Sequence, residues 1–321
     1  MENRYEKWGP RKVVVVGAGA VGATFAYALA QSGLADEIAM IDANTGLARG
    51  QVLDLSHGQP FYPAVRIRVG GPEDYGNARL VVLTAGAKQR PGESRLELLK
   101  RNASIIEAIV REIADSGSQA VLVVVSNPVD VLTRVALEAT GWPRERVIGS
   151  GTVLDSARLR FLLGQHCGVD VHNVHAYMLG EHGDSEFAAW SMAHVGGMRI
   201  DAYCEVCGGC EDWQGVKAEI ERQVRESAYH IIEYKGATSY AVGLALVRIA
   251  GAVLRAQKSV LTVSTRLSGE YGLKDVCLSV PCVVSGGGVE RIIRGRLPDD
   301  ERDALSASAS ILDAAYEALG S

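Results

Sequence analysis

Glycine spacing gives the first sign of chemistry in this chain. Gly17-Ala18-Gly19-Ala20-Val21-Gly22 is a G-x-G-x-x-G run that follows an apolar stretch and opens a helical pattern. Gly17 permits a tight turn, Gly19 lets backbone approach a pyrophosphate, and Gly22 lets a helix pack closely on a strand, with Val21 in the same cradle and the helix N-terminus facing the phosphates. A Gly-rich turn by itself is also a plain connector. Here Asp42 closes Met40-Ile41-Asp42, twenty residues beyond Gly22. A carboxylate there accepts hydrogen bonds from ribose hydroxyls and repels a 2′-phosphate, so the pattern points to NAD rather than NADP.

Four further polar clusters punctuate the chain. Thr84 to Arg95 reads TAGAKQRPGESR, and Ser126-Asn127-Pro128-Val129-Asp130 follows the next apolar run. Asp155-Ser156-Ala157-Arg158 lies within a helical pattern, and Gly180-Glu181-His182-Gly183-Asp184 comes after another apolar run. Cys204, Cys207 and Cys210 form a C-x2-C-x2-C run whose spacing suits zinc or an iron–sulfur cluster. No fourth Cys or His follows within a few residues, so the reading is a Gly-rich surface loop before a helix, and no metal is expected.

The elements that must position these groups are legible from apolar periodicity. Strand-like runs at Val13–Val16, Ile38–Ile41, Val65–Val69, Leu80–Leu83 and Val121–Val125 alternate with helical patterns such as Val21–Gln31 and Leu47–Leu55. Continuous Val/Ile/Leu marks strands buried on both faces of a parallel sheet. The first half is therefore a doubly wound, Rossmann-type α/β sheet, whose ligands bind outside the carboxyl ends of the strands. After about residue 150 the rhythm changes to long helices. One is expected over Glu211–Tyr234, with Val216, Ile220, Val224, Ala228 and Ile231 at the 3.6-residue period, and another over Asp299–Leu319; strand-like runs lie at Val260–Val263 and Val276–Val284. The expected division is residues 1–149 for the nucleotide and 150–321, an α+β unit, for the substrate.

Composition excludes several classes. The 321 residues include 33 Lys plus Arg against 38 Asp plus Glu, a net charge of −5, with no basic segment interleaved with aromatics, so nucleic acid is not an expected partner. No apolar run approaches the ~20 residues that span a bilayer. The polar start MENRYEKWGPRK lacks an apolar signal core, and six cysteines without an even-spaced framework fit reduced thiols, so a cytoplasmic protein is expected.

With these motifs in this order, the sequence resembles the lactate/malate dehydrogenase family from Val13 to about Leu319, and within it the lactate-forming bacterial branch. The resemblance implies hydride transfer between NADH and pyruvate. His182 resembles the proton donor and acceptor, and Asp155 the carboxylate that orients it and favours the imidazolium. Arg158 resembles the fork that grips the substrate carboxylate, and Arg95 the loop arginine that polarises the ketone oxygen as the site closes. Asn127 resembles a hydrogen-bonding residue of the pocket that also borders the cofactor, with a cis bond to Pro128, and Thr238 a residue beside substrate and nicotinamide. Gln89 stands where the family reads its substrate. An arginine there would pair with the second carboxylate of oxaloacetate, whereas pyruvate presents a methyl group and needs no charge. The resemblance also implies a homotetramer, and Arg160 with His175 matches a basic pair that binds fructose 1,6-bisphosphate as an activator. The alternatives are a malate dehydrogenase of the same family, which a one-residue shift of register onto Lys88 or Arg90 would favour, an NAD-dependent glycosidase, and a non-catalytic relative.

Overall fold

The computed structural model describes residues 10–87, 90, 92–207 and 210–320, with the Cys207 side chain outside that set. Six strands run parallel in the order β3-β2-β1-β4-β5-β6: β1 (Lys12–Val16), β2 (Glu37–Ile41), β3 (Arg66–Val69), β4 (Leu80–Leu83), β5 (Val121–Val124) and β6 (Val147–Gly149). Every residue of β1, β4 and β5 is buried, which is why these strands read as unbroken aliphatic runs. Helices α1 (Ala20–Ser32), α2 (Thr45–His57), α3 (Arg95–Asp115), α4 (Val129–Thr140) and α5 (Val153–Cys167) connect or follow them. Strand order reverses between β1 and β4, so the loops after those strands open on a common crevice.

Beyond residue 150 the chain makes two small sheets. One joins β7 (Val174–His175) to β10 (His194–Val195) and β11 (Met198–Arg199), and the other pairs β8 (Met178–Leu179) with β9 (Phe187–Ala188). Then come α6 (Ile200–Cys207), α7 (Trp213–Lys235) and α8 (Tyr240–Leu254). The expected strands after them are longer than their aliphatic centres: β12 (Ser259–Ser268), β13 (Lys274–Ser285) and a further β14 (Gly288–Ile292) are antiparallel. They do not form a separate sheet. Ser264 of β12 pairs with Gly149 of β6, so one nine-stranded sheet of the described residues runs across the expected boundary. The chain closes with α9 (Asp299–Gly320), which buries Leu305 and Leu312.

Local rules account for the differences from expectation. Helix α7 starts at Trp213 because the Asp212 side chain accepts the Gly215 N–H at 2.9 Å as an N-cap, and it ends where Gly236 turns left-handed at φ 82°. The cysteine run is not all surface loop. Cys204 and Cys207 belong to α6, and Cys204 is buried at 5% exposure, while Ile200 at the head of the same helix packs in a smaller core with Val174 and Leu163. Helix α8 packs on α1 and α5 on α7, and α5, α7 and α8 all contribute side chains to one cavity beside Val21 and Asn127.

Candidate active site

The glycine turn is fixed by contact rather than by choice of conformation alone. Gly17 sits at φ 108°, and a Cβ there would come within 2.7 Å of the Ala85 N; a Cβ on Gly22 would meet the Gly17 carbonyl at 1.9 Å. Gly19 differs, because a Cβ there would meet nothing within 4 Å. It is the N-cap of α1 and supplies no side-chain cap, leaving first-turn N–H groups for an anion to approach. Asp42 follows β2, and its carboxylate accepts from Ala18 N and Asn44 N, each at 2.7 Å. It therefore ties the glycine turn to the end of β2. These features fit a dinucleotide, with backbone amides for its pyrophosphate and Asp42 beside its ribose.

The groups expected to handle the proton assemble from two elements. Helix α5 carries Asp155 and Arg158 on one face, and the turn after β8 carries His182. Asp155 Oδ2 lies 2.6 Å from His182 Nδ1, and Asp155 Oδ1 accepts from Arg158 Nη1 at 2.7 Å. Burial alone would lower the His182 pKa; the charge of Asp155 and its hydrogen bond outweigh burial and raise it to about 9. Burial would likewise raise Asp155, and the His182 and Arg158 charges keep it below the ordinary carboxylate value.

The Asn127–Pro128 peptide is cis. The Asn127 carbonyl accepts from Asn102 Nδ2 at 3.3 Å, while Asn102 Oδ1 takes the Ala87 N–H at 2.8 Å, so one buried amide spans the loops after β4 and β5. A cavity of about 140 Å³ is lined by Val21, Asn127, Arg158, His182 and Thr238, which joins residues expected for the cofactor to residues expected for the substrate. Arg95 is not among its lining residues. It is the exposed first residue of α3, where Ser94 and Glu97 form a reciprocal cap. Gln89 and Lys88 lie outside the described residues. Arg160 points to a different cavity, about 330 Å³, with Tyr177 and Arg248. Its Nε donates to the Val174 carbonyl at 2.7 Å, beside the exposed His175.

Two carboxyl groups of the site had no role in the sequence reading. Asp130, within the quoted SNPVD motif, is buried on α4, and its Oδ2 accepts the His182 N–H at 2.7 Å. Burial lifts its pKa to about 6, against the partial offset from His182. Glu186 is buried four residues after His182. An acid set in an apolar run, as in Val129-Asp130-Val131-Leu132, was the available signal for Asp130.

The arrangement holds an imidazolium and a guanidinium at one cavity, both steadied by one buried carboxylate. It can therefore hold an anionic substrate and deliver a proton to it.

Comparison with known proteins agrees with this geometry. Residues 11–149 match the lactate/malate dehydrogenase NAD binding domain, and residues 152–319 match the alpha/beta C-terminal domain of the same family. NAD(H) is accordingly the cofactor. An L-lactate dehydrogenase of Treponema denticola is 62% identical over 308 residues, covering 95% of this chain and 97% of that protein. One from Acetivibrio thermocellus is 49% identical, covering 94% and 95%. A crystal structure of a lactate dehydrogenase from a Medee basin deep-sea metagenome library superposes with a TM-score of 0.94 at 42% identity, covering 97% of this chain and 99% of that one. With a doubly wound nucleotide-binding sheet, a C-terminal α/β region and relatives along nearly its whole length, the chain belongs to the lactate/malate dehydrogenase family.

Proposed function

We propose that the protein catalyses the L-lactate dehydrogenase reaction, the reversible reduction of pyruvate to (S)-lactate, in the cytoplasm. The observation that carries the reading is the His182–Asp155–Arg158 constellation at one cavity with Asn127 and Thr238. Bound NADH supplies the hydride. Arg158 grips the substrate carboxylate through its fork, and His182, protonated through its contact with Asp155, donates its Nε2 proton to the developing alkoxide. Arg95 moves in from the head of α3 to polarise the ketone oxygen. In this reading residues 1–149 serve the nucleotide and 150–321 the substrate.

Gln89 carries the choice of pyruvate over oxaloacetate, since an amide cannot neutralise a second carboxylate. A homotetramer is supported by the exposed apolar side chains of Phe161, Tyr240 and Leu244, which are 55%, 73% and 64% exposed in the single chain. Activation by fructose 1,6-bisphosphate is supported by Arg160 anchored beside His175, on a side of α5 away from Arg158.

The test is NADH oxidation with pyruvate, with oxaloacetate and with no ketoacid, each with and without fructose 1,6-bisphosphate. Turnover of pyruvate well above oxaloacetate, and a lower pyruvate KM with effector that Arg160→Gln abolishes, is expected. Gln89→Arg should move the preference toward oxaloacetate by about a hundredfold or more. Oxaloacetate preferred by the unmodified chain would overturn the substrate assignment, and an effector-indifferent KM would overturn the activation.

A further inference from the structure

Glu186 lies beside the reacting groups without an evident task. One ligand atom each of Asp155, His182 and Glu186 lies within 4.8 Å of the others. Glu186 is 4% exposed, and its Oε2 has no hydrogen-bond partner among the described residues. The charged groups facing it are Asp155 and Arg158 from α5, His182 from its own turn and Arg225 from α7. Arg158 is engaged by Asp155 at 2.7 Å, and Arg225 reaches the backbone carbonyl of Glu186 and the Glu221 carboxylate, each at 3.4 Å. Asp130, from α4, holds the backbone of His182. No ion pair joins the Glu186 carboxyl to any of these groups among the described residues.

A second ionised carboxylate this close to Asp155, out of water and without its own cation, is unfavourable in both charge and solvation. We infer that Glu186 is held protonated beside the His182–Asp155 pair, as a positioning residue whose neutrality keeps the pocket receptive to a carboxylate substrate. Burial and then the Asp155 charge push its carboxyl well above the usual range. With Glu186 neutral, the Asp155 charge balances one of the two cations, His182 and Arg158, and the remaining positive charge matches a monocarboxylate. Ionised, Glu186 would cancel that charge and weaken the hold of Arg158 on the substrate.

This inference rests on the proposed reduction of pyruvate, and its test separates the two. The pyruvate KM is measured with saturating NADH from neutral to strongly alkaline pH, for the wild type and Glu186→Gln, with the thermal unfolding midpoint of each recorded. In the wild type the form that binds substrate carries two dissociable protons, on His182 and Glu186, so log KM steepens with pH toward a slope of about two. In Glu186→Gln only the His182 proton remains, and the slope stops at about one. The infrared spectrum at neutral pH reports the Glu186 proton itself: a protonated-carboxyl C=O band that Glu186→Gln removes is expected, and a wild type without any such band overturns the inference, even if the variant fails to fold, as does a variant that keeps a slope of two. Absence of pyruvate-dependent NADH oxidation at every pH would instead reject the proposed reaction.

Discussion

Asp155 is 1% exposed, with one oxygen on His182 and the other on Arg158, whereas Arg95 lies exposed at the first position of α3, outside the cavity they line. The two regions follow different physical demands. An imidazole that must be protonated before substrate arrives needs a fixed, dry partner, because only in low dielectric does a carboxylate move a pKa this far. A guanidinium is charged at any working pH and needs no such tuning, so it can wait in solvent and act on closure. In the proposed reaction the proton machinery is therefore preassembled, and Arg95 would supply the polarising charge on closure.

Substitutions can break that contrast, beginning with the largest effect. His182→Asn should lower kcat by about a thousandfold with NADH still bound, measured by stopped-flow reduction and by NADH fluorescence titration. Near-normal turnover would mean that the proton comes from elsewhere. Arg158→Lys keeps the charge and loses the fork, so the pyruvate KM should rise by about a hundredfold. Arg95→Gln should act on the other term, lowering kcat by about a hundredfold while leaving the thermal unfolding midpoint in place, as expected for an exposed side chain. Should Arg95→Gln unfold the protein earlier, the side chain is structural and the contrast fails.

The smallest expected effect belongs to the nucleotide side. Asp42→Ser should weaken NADH binding by about tenfold and narrow the gap between NADH and NADPH, since the repelling carboxylate is gone. Because Asp42 also holds Ala18 and Asn44, a drop in affinity for both nucleotides alike would assign it to the turn rather than to the ribose.

What could be read from the sequence follows from the range of each signal. The glycine turn, the parallel strands and the helix face joining Asp155 to Arg158 are local, set by φ, by periodicity and by i,i+3 spacing. The continuation of the sheet from β6 to β12 is not, because Gly149 and Ser264 are 115 residues apart and nothing in either run names its partner. The same holds for Asp130, whose buried place on α4 was signalled but whose contact with the His182 amide belongs to the tertiary fold. Cys204 was misplaced because Gly208 and Gly209, next to Cys207, suggested a turn, while the helix that begins with the core residue Ile200 runs on through the buried Cys204.

The central claim is that Asp155 prepares the His182 imidazolium before substrate binds. The most direct measurement is the NMR titration of the His182 ring in the free enzyme, assigned by its loss in His182→Asn and repeated in Asp155→Asn. The account predicts a pKa near 9 in the wild type, with the imidazolium populated below it and lost as pH rises through it, and a fall toward or below the ordinary value in Asp155→Asn. A wild-type ring that titrates at or below ~6.5, or one unmoved by the loss of the Asp155 charge, would contradict it.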